Sequence, residues 1–379
     1  MNKIDTQYLS LLEDILANGT KKTGRNGDTI SVFGRTMRFN FDEGFPILTT
    51  KKIHFSSIVT ELLWFLKGDT DIQYLHDHKT HIWDGDLYAY YEKDCIKNDI
   101  VPLNKKDFIS TLHEERKNYY ELKTTLSSFY GKYGNLGPIY GKQWRRWQTW
   151  IDLKNGAKGS IWIDQIANLI VDLKKSPDSR RMIVNAWNVA DISSNYDLPE
   201  HRYMTLPPCH FASQFYTQEL TISERLDLAA KTYDNFDPFD FGIGKDDMPN
   251  KQWHKMIDDL YPVPKRKISC LVHIRSNDFF LGAPFNISSY ALLLSLIAKE
   301  VNMVPYELIY EIGDCHIYCN QLNAVHTQLK RTNDFELPKL HLEDDKQILD
   351  YLATNFYEPS DIKLIDYKSQ DIIKAPLSN

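Results

Sequence analysis

Cys209 ends the run Leu206-Pro207-Pro208-Cys209-His210 and stands directly before Phe211-Ala212-Ser213-Gln214-Phe215-Tyr216, an alternating stretch that predicts a strand. The two prolines fix the backbone and remove two N–H donors, so the approach to Cys209 is a stiff loop, neither a helix interior nor a central strand. A thiol held there can be aimed, and nearby positive charge makes it a nucleophile by favouring the thiolate. Without such company it is a small buried hydrophobe. The candidate cations are Arg25 in Thr23-Gly24-Arg25-Asn26-Gly27, the pair Arg180-Arg181 after Pro177-Asp178-Ser179, and Arg275 before Ser276. Arginine forks also match phosphate oxygens, although any one of these side chains taken singly could be an ordinary surface charge.

Three further groups could do chemistry. Glu61 lies among Ser57, Ile58, Trp64 and Phe65, so its carboxyl is either paired or pushed toward protonation; the sequence leaves open whether it is structural or catalytic. Asn286, in Gly282-Ala283-Pro284-Phe285-Asn286, is placed to cap a helix, and its amide could equally present one donor and one acceptor to a planar ring. In Gly313-Asp314-Cys315-His316-Ile317-Tyr318, strand alternation puts His316 and Tyr318 on one face, where they could grip a hydroxyl or simply pack on the core.

The elements that must hold these groups follow from periodicity. Residues 8–16 predict a helix and 29–41 a strand with a bulge at Gly34; 54–75 predict a helix buried on nearly every side. Helices are expected at 163–174 and 288–301, and strands at 182–187, 211–216 and 268–274. The segments 88–133 and 219–267 are charged and irregular and read as insertions, the second separating two strands that could otherwise form a hairpin. Asp234, Asp237 and Asp240 superficially suggest calcium, but EF-hand ligand spacing is absent and a turn-rich surface excursion is expected.

Forty-two per cent hydrophobic residues support a substantial core, and a formal charge of -6 argues against coating a nucleic acid, so no DNA partner is expected. The five cysteines are odd in number and lack paired C-x-x-C spacing, which fits free thiols in a reducing compartment, and no metal is expected. The first residues offer no apolar signal region and no apolar run spans a bilayer, so a cytoplasmic protein without membrane contact is expected.

Taken together, these motifs resemble the thymidylate synthase family. The resemblance rests on Leu206-Pro207-Pro208-Cys209-His210, on the run from Arg275 to Ile287, on Gly313-Asp314-Cys315-His316-Ile317-Tyr318 and on Ser179-Arg180-Arg181. It rests equally on Phe45-Pro46-Ile47-Leu48-Thr49-Thr50-Lys51-Lys52, Glu61-Leu62-Leu63-Trp64-Phe65-Leu66, His81-Ile82-Trp83-Asp84, Gly137 to Arg145 and Ile373-Lys374-Ala375-Pro376. These occur in the family's order across the chain apart from the insertions. Departures are Ile274 where glutamine is usual, Asp86 where many members have tryptophan, a shortened loop after Arg25, and the ending Leu377-Ser378-Asn379.

The resemblance implies an α+β fold: a large mixed sheet with flanking helices, sheets packed back to back in a homodimer, and residues 1–379 forming a single domain with the two insertions. It implies reductive methylation of deoxyuridylate (dUMP) to thymidylate with 5,10-methylenetetrahydrofolate as carbon and hydride donor. Cys209 would add to uracil C6, with Arg275 stabilising the thiolate, Asn286 and a water ordered by Glu61 stabilising the oxyanion, and Tyr140 assisting proton removal. The nucleotide would be held by Arg25, Arg275, Ser276, Asn277, Asp278, Asn286, His316 and Tyr318, with Arg180 and Arg181 reaching across from the second subunit. The folate would meet His54, Ile82, Trp83, Asp278, Leu281, Gly282, Phe285 and Ser378. If water captured the exocyclic methylene before hydride did, the product would instead be 5-hydroxymethyldeoxyuridylate, so shielding by Trp83 and the C-terminal segment separates two activities.

Overall fold

Alternating apolar residues build a six-stranded sheet at the centre of the protein. The computed structural model describes residues 1–24, 26–122, 129–153, 156–192, 203–237, 241, 250–332 and 334–378. The chain opens with α1 (Lys3–Asn18), then β1 (Thr20–Gly24) and β2 (Gly27–Asn40), followed by α2 (Phe55–Leu66) and α3 (Gln73–Asp77). Next come α4 (Asp84–Lys97), α5 (Lys105–Leu122), α6 (Phe129–Tyr133) and α7 (Tyr140–Arg146), the hairpin β3 (Trp147–Asp152) and β4 (Lys158–Ile163), α8 (Gln165–Lys175) and β5 (Ile183–Asn185). The remainder is β6 (His210–Glu219), α9 (Ile222–Thr232), α10 (Asn250–Leu260), β7 (Arg266–Asp278), α11 (Gly282–Glu300), β8 (Val304–Tyr318), α12 (Leu322–Leu329), and a small pair of β9 (Lys339–Leu342) with β10 (Ile362–Ile365).

The main sheet runs β1-β2-β8-β7-β6-β5; β7 and β8 are parallel and every other pairing is antiparallel. The parallel pair needs a crossover, which α11 supplies, and that helix is buried at most positions against β7, β8 and α2. The fold is therefore α+β, a large mixed sheet with flanking helices. Its register gathers one end: the start of β6, the ends of β7, β8 and β5, and the β1–β2 turn all lie together. Cys209 abuts that end.

Several expectations need correction. The helix foreseen over 54–75 breaks after Leu66 because Gly68 takes φ +66, and α3 begins separately. At Gly34, which takes φ +71, the β2–β8 ladder skips one residue on each strand, Gly34 and Gly313, and the buried side chains change phase from Val32 to Met37 and Phe39. Because both strands skip one residue, the register resumes unshifted from Phe33↔Asp314 to Arg35↔Ile312. The helix expected from 288 starts at Gly282, since Pro284 in its first turn needs no N–H partner. Asn286 consequently lies inside α11 rather than at its cap.

The segments at 88–133 and 219–267 are helical more than irregular. Tyr91 stacks on Phe108 at 4.5 Å, packing α4 on α5. A capping box between Thr221 and Glu224 starts α9, and Ala229, Phe241, Ile257, Tyr261 and Val263 form a separate apolar cluster. Glu219 and Arg266 nonetheless pair, so β6 and β7 make the hairpin that the sequence pattern foresaw. Of the acidic stretch, residues 238–240 lie outside the described residues.

One close approach sets the helices around the site. A Cβ on Gly141 would lie 2.6 Å from the Phe65 carbonyl oxygen, so only glycine lets α7 sit this tightly on α2 and bring Tyr140 within 4.9 Å of the Phe65 ring. Gly141→Ala should lower stability by about 1–3 kcal/mol through forced separation of the two helices. Chemical denaturation of the variant checks this.

Candidate active site

The Cys209 sulfur lies 3.8 Å from a terminal nitrogen of Arg275, whose backbone N–H donates to the Cys209 carbonyl at 2.9 Å. The same guanidinium donates to the carbonyls of Pro208 and Pro207, both at 2.8 Å, which ties the stiff loop to β7. On the other side of Arg275, Gly313 lets β8 lie close against β7, since a Cβ there would sit 2.9 Å from the Arg275 carbonyl oxygen. Burial pushes the Cys209 thiol up, Arg275 draws it back, and Asp86 adds to the rise. Asp86, the departure noted above, thus bears on the thiol itself.

Tyr140 faces Cys209 from α7: its hydroxyl accepts from the Cys209 N–H at 2.9 Å, and burial holds the phenol far above its usual range. His210 stacks on Tyr140 at 4.2 Å and its Nδ1 lies 2.9 Å from the Tyr290 hydroxyl. Burial lowers His210 from 6.5 to about 3, so the folded protein carries it neutral while the unfolded chain protonates it below pH 6.5. Stability should therefore fall as pH drops from 6.5 toward 3, by up to about 4 kcal/mol from this group, and His210→Asn should flatten that part of the profile. Urea titrations at pH 4 and pH 7 measure it.

Glu61 of α2 finds its partner far along the chain: the Trp83 indole N–H donates to it at 2.7 Å. Burial raises the Glu61 carboxyl from 4.5 to about 7, with the Trp83 bond opposing, which places a proton in balance near neutrality. Trp83 is buried and lies 6.0 Å from the Tyr140 ring, so Glu61, Trp83, Tyr140 and Cys209 form one connected group.

Asn286 and Asn277 meet through Tyr310. The Tyr310 hydroxyl donates to Asn277 Oδ1 at 3.1 Å and also bonds to the Asn286 side chain. Asp278 accepts the N–H groups of Phe280 and Leu281 at 3.1 and 3.0 Å, steadying the turn into α11. Its other oxygen accepts from the fully buried Gln321 at 2.9 Å, and Gln321 also reaches the Pro376 carbonyl at 3.4 Å. Asn320 donates to Ser378 at 3.1 Å, so the C-terminal segment rests on the end of β8.

His316 and Tyr318 share a face as their spacing foretold, with rings 5.2 Å apart, and the register puts Ser276 opposite Asp314 and Asp278 opposite His316. Leu281, Gly282 and Phe285 are half-buried at the start of α11; Ile82 and His54 are exposed. Arg25 lies outside the described residues, although Gly24 and Gly27 flanking it pair at this end. Arg180 and Arg181 are not brought in. Both are exposed just before β5, and the register Ile183↔Gln214 sets them roughly 20 Å along the strands from Cys209.

A sequence model described as Thymidylate synthase matches residues 6–241 and 252–379. The chain belongs to the thymidylate synthase family. It is 39% identical over 386 aligned positions to a protein named thymidylate synthase from Listeria monocytogenes serotype 4a (strain HCC23), covering 98% of this chain and 99% of that one. The protein is accordingly a methyltransferase of nucleotide biosynthesis. The internal gap in that match, residues 242–251, falls inside the second insertion. Among the described residues no helix is long and apolar enough to cross a membrane.

Sequence reasoning assigned no role to His210, Tyr310, Gln321 or Lys51, which contact the candidate residues or the elements that carry them. His210 and Lys51 stood within quoted motifs; Lys51 is buried, its Nζ donating to the Phe280 carbonyl at 2.6 Å, and burial lowers it to about 7. Adjacency to Cys209 was the usable signal for His210. Gln321 offered only its place just after β8.

Proposed function

We propose that this enzyme methylates deoxyuridylate to thymidylate through a covalent bond between the Cys209 sulfur and C6 of the uracil ring. The observation that carries the reading is the Cys209 thiol beside the Arg275 guanidinium at the sheet end where the ends of β7 and β8 converge. 5,10-Methylenetetrahydrofolate, when bound, supplies the one-carbon unit and the hydride. Half-buried Leu281 and Phe285, exposed Ile82 and buried Trp83 offer apolar area suited to such a ring system, with Asp278 held by Gln321 as a hydrogen-bond acceptor. His54, Gly282 and Ser378 complete that binding surface.

Sulfur attack makes the ring an enolate, whose oxygen takes hydrogen bonds from Asn286 and from a water ordered by Glu61. Asn277 supports Asn286 through Tyr310, and Tyr140 assists loss of the C5 proton. Arg25, Arg275 and Ser276 bind the phosphate, and His316 and Tyr318 the 3'-hydroxyl. Residues 1–379 would act as one catalytic unit, both insertions lying outside this constellation.

Arg180 and Arg181 suit only another subunit's phosphate, given their distance from Cys209. The outer sheet face supports a homodimer, because Phe33, Tyr216 and Ile183 are exposed there while Val32, Phe215 and Val184 beside them point into the core.

Incubation with deoxyuridylate and methylenetetrahydrofolate, followed by mass analysis, tests the reading. A methyl product with dihydrofolate is expected. A hydroxymethyl product with tetrahydrofolate would assign the enzyme to the hydroxymethylase branch, and no product would overturn both.

A further inference from the structure

Three histidines and an aspartate meet outside the site described above. His76 of α3 places Nε2 2.6 Å from Asp84 Oδ1, and His81 places Nδ1 3.2 Å from Asp84 Oδ2. One ligand atom from each of His76, His81 and Asp84 lies within 4.8 Å of the others. His113 of α5 joins from a distant part of the chain, its ring 4.9 Å from that of His76, which is also 4.9 Å from His81. His76 and Asp84 are buried, whereas His81 and His113 are exposed, so the group opens to solvent on one side.

We propose that His76, His81, His113 and Asp84 bind a divalent transition metal of the zinc class. Imidazole nitrogens with a single carboxylate oxygen suit zinc, cobalt or nickel, while magnesium and calcium require mostly oxygen donors. Tetrahedral binding needs ligand atoms roughly 3.4 Å apart. Those of His76, His81 and Asp84 already lie within 4.8 Å of one another, and His113, whose ring is 4.9 Å from that of His76, is the fourth ligand, to be brought in by side-chain rotation. The metal replaces the contacts between Asp84 and the two imidazoles: each neutral ring binds through the nitrogen now facing Asp84 and carries its single proton on the other nitrogen. Arg116, one turn beyond His113, already pairs with Asp77 at 3.6 Å, and its charge is directed to that carboxylate.

The placement gives the metal a mechanical effect. His81 and Asp84 flank Ile82 and Trp83, so a bound ion clamps both ends of the tetrapeptide that sets Trp83 on Glu61, and His113 fastens the 88–133 segment to it. Sequence spacing hid the group because His113 arrives 29 residues after Asp84.

The test uses the full chain after chelator treatment. One equivalent of cobalt(II) should bind with the visible absorption of a tetrahedral centre, and zinc should displace it and raise the melting temperature by several degrees. His81→Ala and His113→Ala, both at exposed positions, should each weaken cobalt binding at least about tenfold while leaving the metal-free melting temperature unchanged. Absence of stoichiometric binding to the parent chain overturns the proposal, and so does unchanged affinity in either variant. These readouts are independent of methyl transfer, so failure here leaves the proposed reaction standing.

Discussion

Cys209→Ala lowers turnover by about four orders of magnitude or more while the protein still binds deoxyuridylate: this is the expected result, because no other described group can form the bond to C6 from that position. The loop geometry does not depend on the sulfur. Arg275 holds it through the carbonyls of Pro207 and Pro208, and the Cys209 main chain bonds to Arg275 and Tyr140. Melting temperature and nucleotide affinity should therefore stay near those of the parent. Steady-state kinetics with calorimetry of nucleotide binding measure both, and turnover within tenfold of the parent would remove Cys209 from its assigned role. Burial and Asp86 push the resting Cys209 thiol up, and the Arg275 guanidinium opposes them.

Glu61→Gln is expected to lower kcat/KM by about two orders of magnitude and to erase a pH dependence near neutrality. With its carboxyl raised from 4.5 to about 7, Glu61 is largely protonated below 7 and loses that proton above it, so the parent's kcat/KM should decline as pH rises through 7. The same group affects stability. Between pH 4.5 and 7 the folded state holds a proton that the unfolded chain has released, so stability falls as pH rises across that window, by up to about 3 kcal/mol. Glutamine still accepts from the Trp83 indole and carries no charge, so the variant should be the more stable protein above pH 7. Denaturation midpoints at pH 5 and pH 8 read out this slope, opposite in sign to the acid loss expected from His210.

Local pattern revealed what local physics controls. Paired prolines before an alternating run located the stiff strand entrance at Cys209; helical spacing buried Glu61; a two-residue period put His316 and Tyr318 together. Contacts between distant segments stayed hidden. Nothing in residues 55–66 names Trp83 as the partner of Glu61, and the Asn277–Tyr310–Asn286 link joins β7, β8 and α11 only once the parallel register exists. The helix expected from residue 288 starts at Gly282 instead, because in a first turn the missing N–H of Pro284 costs nothing. The charged insertions looked irregular because their apolar residues are sparse and meet only in the fold: Tyr91, Phe108 and Tyr133 join the edge of the main core, whereas Ala229, Phe241, Ile257, Tyr261 and Val263 form a cluster of their own.

The lobe carrying α9 and α10 hangs from a hairpin whose two strands are already joined at Glu219 and Arg266. Its small private cluster gives it little share in the cooperativity of the main body. Such an appendage opens ahead of global unfolding, offers proteases their first cut, and can be exchanged for a short turn or a foreign peptide without asking the catalytic sheet to re-register.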